Sequence, residues 1–112
     1  MYVACAVVKI VIPGSYSLKD RRRVMLGLTS TIGKGPHIAA VDLSPDGTHN
    51  LGILGVTTIS NALHHAVELR ESALRTLDRD GRFEVVDIET EEIRMEGGRP
   101  GFNMPGREEP QM

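Results

Sequence analysis

The sequence predicts an α+β fold of the ferredoxin-like kind, β-α-β-β-α-β, a four-stranded antiparallel sheet with two helices on one face. Three observations predict it. Two stretches with helical apolar spacing alternate with β-branched runs. The turn chemistry Ser44-Pro45-Asp46-Gly47 separates the second and third of those runs, as a hairpin requires. Two right-handed crossovers flanking one hairpin then specify one simple sheet.

Each element has its own warrant. Tyr2 to Ile12 is almost wholly apolar and β-branched, which reads as a strand, and Pro13-Gly14 ends it. Tyr2, Ala4, Ala6, Val8, Ile10 and Ile12 share one face. Val3, Cys5, Val7, Lys9 and Val11 share the other. A strand apolar on both faces is expected to be covered on both. Ser17 to about Ile32 reads as a helix with Ser17 as N-cap and Asp20 at the capping-box position. Leu18, Met25, Leu28 and Ile32 form its stripe, with Val24 at the edge. Gly33-Lys34-Gly35-Pro36 stops it. No Ser or Thr follows Lys34, so this is not a phosphate loop.

His37 to Leu43 and Leu51 to Ile59 read as the hairpin strands. Ser60 or Asn61 is expected to cap a second helix that runs to about Asp80, with Gly81 as its stop. Leu63, Ala66, Val67, Ala73, Leu74 and Leu77 make its apolar face. Arg70 falls inside that arc as a snorkelling or interface residue, and Glu71 can pair with Arg75. Phe83 to Met95 is the last strand. Its Asp87, Glu89, Glu91 and Glu92 read as a charged edge that resists aggregation. The folded domain is expected over residues 1–95. Residues 96–112, with four Gly and three Pro, are expected to be a disordered tail.

The chain has 112 residues and a formal net charge of −2, which excludes a uniformly basic nucleic-acid coat. That small charge is a near-cancellation. Residues 1–41 hold six basic residues against Asp20 alone, and residues 42–112 hold seven basic against fourteen acidic. The single cysteine, Cys5, excludes a disulfide scaffold and predicts the reducing cytoplasm. No apolar run approaches membrane-spanning length and the start lacks a secretion signal, so no membrane partner is expected.

Ile12-Pro13-Gly14-Ser15-Tyr16-Ser17-Leu18-Lys19-Asp20-Arg21-Arg22-Arg23 resembles the loop and helix start of the YlxP-like family, small bacterial proteins of unknown function. Val41-Asp42, Ser60-Asn61 and the segment Phe83 to Glu89 agree with it in order and spacing, so the likeness covers about residues 1–95. The resemblance implies the same fold and cytoplasmic work near translation and ribosome maturation. It implies no reaction. Relatives often carry an aromatic residue in the hairpin loop. Here the loop Ser44 to Asn50 has none, which weakens a base-stacking role for it.

The basic cluster Lys19, Arg21, Arg22 and Arg23 carries the functional expectation. It occupies the first turns of a helix, where the macrodipole disfavours cations. An anion docked there would meet free N–H groups and Arg or Lys donors together, with Ser15 and Ser17 adding hydroxyls. The expected ligand is RNA phosphate or another anion, and ribosomal RNA or a ribosomal particle is the expected partner. DNA is not. The plainer alternative is a solvated surface with one structural arginine, Arg21, reaching Asp42 or Asp87. An RNA-recognition-motif mode is rejected because the central strands lack stacking aromatics.

No cofactor or metal is expected. His64 and His65 project about 100° apart on a helix, and His37 and His49 lack a ligand-spaced carboxylate pair. No nucleophile–base pair is visible, so an enzyme is not expected. Val3, Cys5, Val7 and Val11 are expected to form an apolar face that the helices do not cover. Either Leu54 and Val56 or Ile53 and Ile59 join them there. Such a face marks a partner surface. A second copy about a two-fold axis is the simplest partner, and a small hydrophobic ligand or another protein is the alternative. The second functional reading is hence a homodimeric structural or regulatory protein-interaction module.

Overall fold

A computed structural model describes residues 1–96. The expected tail, 96–112, lies outside them from residue 97 onward. The element order is β1 (Tyr2–Val11), α1 (Leu18–Ile32), β2 (Ile38–Asp42), β3 (Leu51–Ser60), α2 (Leu63–Asp78) and β4 (Glu84–Arg94). The sheet order is β2-β3-β1-β4, and each neighbouring pair is antiparallel. This is the ferredoxin-like α+β arrangement. No helix among the described residues is long and apolar enough to cross a membrane.

Alternation along β1 builds the core. Ala4, Ala6, Val8, Ile10 and the following Ile12 are buried beneath the helices. Ala6, Val8, Ile10 and Ile12 cluster with Met25, Leu28 and Ile32 of α1 and Ala73 and Leu77 of α2. Between the two apolar candidates on β3, the register decides. Leu54 lies opposite Val8 and Val56 opposite Ala6, so these two enter the core, and Ile53 and Ile59 face away from it. Leu18 and Leu63, the first residues of their helices, stay exposed.

The core permits no side chain at Gly52. A Cβ there would lie 2.7 Å from Met25 Sδ and 3.1 Å from Ile10 Cγ1. Gly52→Ala should therefore lower the unfolding free energy by about 1–3 kcal/mol, read as a lower urea midpoint at unchanged m-value.

The cap of α1 is as expected, and both ends of α2 differ. Ser17 caps α1, its Oγ accepting from Asp20 N–H at 3.1 Å. At α2 the N-cap is Ala62, with no side-chain cap. Ser60 instead accepts from Ala62 N–H at 3.2 Å, which tightens the turn ahead of the helix. α2 ends at Asp78, before Gly81, because Asp80 is drawn into a fork with Arg82. Glu71 pairs with the adjacent Arg70 at 3.0 Å, not with Arg75.

Arg70 is buried and reaches Glu92 of β4 while also bonding Glu71 on its own helix. Burial alone would push its guanidinium down. The bonds to the two carboxylates outweigh that and raise it.

The second face of the sheet carries no helix. Its β1 column is Val3, Cys5, Val7, Lys9 and Val11. Across β3 stand Ile59, Thr57, Gly55, Ile53 and Leu51 in the same rows. β2 adds Ala39 opposite Thr57 and Val41 opposite Gly55, while Leu43 N–H bonds Ile53 O. β4 contributes Asp87, Glu89, Glu91 and Ile93, in register with Lys9, Val7, Cys5 and Val3. Beyond Lys9 the β4 register shifts by a bulge at Val86.

Candidate anion site at the start of the first helix

The site begins where β1 runs out. Pro13 and Gly14 turn the chain, and Ser15, Tyr16 and Ser17 lead into α1. Ser17 Oγ caps Asp20 N–H, and Asp20 Oδ2 accepts from Tyr16 N–H at 3.0 Å. This reciprocal pair fixes the direction in which the helix starts.

The six expected site residues divide into two groups. Ser15 and Arg21 turn inward, each only 2% exposed. Ser15 donates its hydroxyl to His49 O, and His49 Nδ1 lies 2.9 Å from Ser15 O. Arg21 Nη1 donates to Pro45 O at 2.6 Å and also to Thr48 O. Its expected carboxylate partners are not used. Asp42 instead accepts from Ser44 N–H at 2.9 Å inside the hairpin, and Asp87 lies on the far face of the sheet. Arg21 therefore straps the hairpin loop to α1, so its guanidinium does not face an external ligand.

Lys19, Arg22 and Arg23 form the second group. All three are exposed, and none is in a salt bridge among the described residues. They stand in the first two turns of α1, where the helix dipole is positive. Ser17 is exposed beside them, with its Oγ already occupied as the cap.

A cleft of about 410 Å³ adjoins this helix start. Ile12, Pro13 and Val24 give it an apolar floor, and Gly14, Ser15, Asp20 and the Gly81-Arg82 turn complete it. Arg82 is held there by Asp80, with Nε 3.0 Å from Oδ1. The bonded Arg82 guanidinium keeps the Asp80 carboxyl below the usual carboxylate range, and Asp80 raises Arg82 in return. The cleft is thus half apolar, with its one guanidinium already paired to Asp80 and the Asp20 carboxylate on its rim.

One pairing escaped the sequence reading. Ser60 Oγ and His65 Nδ1 lie 2.9 Å apart at the mouth of a cavity of about 540 Å³, which Met1, His37, Ile59 and Asn61 also line. The five-residue separation spans a strand end and a helix start, so neither period signals it. Among the described residues no carboxylate bonds the ring, and the Ser60 oxygen is held by Ala62 N–H. The pair closes the turn into α2. His37, beside it, holds φ at 62°, the left-handed region.

Residues 3–90 match the family described as "Protein of unknown function (DUF503)". Among solved structures, the de novo designed protein Foldit4 superposes with a TM-score of 0.51 at 12% identity. The match covers 86% of this chain and 100% of that one, and shows the fold alone. No curated protein matches the chain.

Proposed function

We propose, for a chain that belongs to the DUF503 family of proteins of unknown function, a non-enzymatic role in binding a polyanion through Lys19, Arg22 and Arg23. The observation that carries this reading is three exposed cations at the positive end of α1 with no salt bridge among the described residues. Cations there work against the helix dipole and cost stability, while an incoming phosphate reverses the sign of that interaction. Arg21, Ser15 and Ser17 hold the platform from below. The ligand class is an RNA backbone, and the setting is cytoplasmic, near translation and ribosome maturation, as the likeness to YlxP-like proteins implies.

Binding of a ribosomal RNA fragment, followed by fluorescence anisotropy at rising salt, tests it. The Lys19→Ala, Arg22→Ala, Arg23→Ala triple variant should lower the log–log salt slope by about 2, taking ~0.7 per contact to single-stranded phosphate. Absence of binding even at low salt, or an unchanged slope in the variant, removes the proposal.

A second reading is a homodimeric protein-interaction module. It is favoured by the uncovered sheet face, where Val7, Val41, Leu43 and Ile59 are exposed together.

A further inference from the structure

The open sheet face is not uniformly apolar. Its β2, β3 and β1 columns are apolar or neutral apart from Lys9. Its β4 column carries Asp87, Glu89 and Glu91. We infer that a second copy of this chain covers the face about a two-fold axis running along β3. This rests on the homodimer reading and gives it a geometry.

Charge selects the axis. Two in-plane directions bring the sheets face to face. An axis across the strands would lay the three-carboxylate column on its own mate, stacking like charges in a drying interface. An axis along β3 lays β2 of each copy on β1 of the other and β3 on β3. The acidic β4 column then overhangs the partner's β2 edge and stays in water. Packed sheets keep their strands within about 30° of each other, which an axis near the strand direction satisfies.

Register selects the contacts. Rotation about that axis keeps each row at its own level. Val41, Gly55 and Val7 share one row, so Val7 meets Val41 of the second copy. The Leu43 side chain lies over Gly55, its Cδ1 2.9 Å from where a Cβ would stand. Beside it a hollow of about 240 Å³ is lined by Cys5, Val7, Ala39, Val41, Gly55 and Thr57. Lys9 stands in register with Asp87, so its stem can lie on apolar surface while its ammonium reaches the acidic, wet edge.

β3 overlaps β3 over ten residues and each β2–β1 pair over the five of β2. Both copies together therefore lose roughly 600 Å² before side-chain relief is counted, the size of a weak, concentration-dependent dimer.

The experiment is sedimentation equilibrium of the full chain, with circular-dichroism melts to show that every variant folds. The wild-type chain should be a dimer. Val7→Lys and Val41→Asp sit at exposed positions and should each weaken it by about a hundredfold or more, since a charge would face an apolar side chain. An equimolar mixture of the two variants should recover the dimer, because the new ammonium faces the new carboxylate across the axis. Glu89→Lys should leave assembly unchanged. A wild-type monomer at every accessible concentration overturns both the geometry and the homodimer reading. A dimer that neither valine variant weakens overturns both as well. A dimer weakened by each variant but not recovered on mixing, or lost in Glu89→Lys, overturns the axis alone.

Discussion

Arg21→Met should lower the unfolding free energy by about 2–4 kcal/mol, the scale of losing hydrogen bonds from a charged donor to buried acceptors. The guanidinium is 2% exposed and holds the carbonyls of Pro45 and Thr48. Methionine fills most of the same volume, so the loss reports the bonds and not a cavity. Urea denaturation gives the number. A second measurement separates strap from ligand contact. At temperatures where the variant stays folded, its affinity for the RNA fragment should remain within about twofold of wild type, whereas losing a direct contact costs roughly tenfold per 1.4 kcal/mol. A shift under about 0.5 kcal/mol, typical of surface positions, would show that the strap carries little.

Ile10→Ala should cost about 3–5 kcal/mol, at the upper part of the range for a large-to-small change in a core. Ile10 is fully buried on a central strand, beneath Met25 and beside Gly52. Its neighbours on β1 are held on both sides by β3 and β4, so the backbone cannot move in to close the space. Leu26→Ala, on the solvent face of α1 at 67% exposure, should change stability by no more than about 0.5 kcal/mol. Similar costs for both substitutions would contradict the packing.

The order of elements was legible because its signals are local. Turn residues punctuate the chain, and a 3.6-residue or two-residue spacing is visible within a dozen positions. The face of β3 was not legible. Leu54, Val56, Ile53 and Ile59 are all apolar, and only pairing with β1 sends the first two inward. The sequence already offered Arg21 as the one structural arginine of the cluster. The partners of Arg21 were illegible because backbone carbonyls of a loop leave no mark in residue identity. The expected carboxylates were the only acceptors that a sequence can advertise. The bond between Ser15 and His49 escaped for the same reason. It joins two loops through main-chain oxygens.

The inward turn of Arg21 also bears on entropy. Lys19, Arg22 and Arg23 each lose rotamer freedom when they close on a ligand, by as much as ~2 kcal/mol per long side chain. Arg21 lost its freedom on folding. Its charge lies fixed beneath the surface, and it draws two carbonyl oxygens toward itself and away from whatever anion approaches. That end of the sheet is therefore preorganised. On the proposed function, the ordering cost of binding would fall on the three exposed side chains and not on the strapped loop.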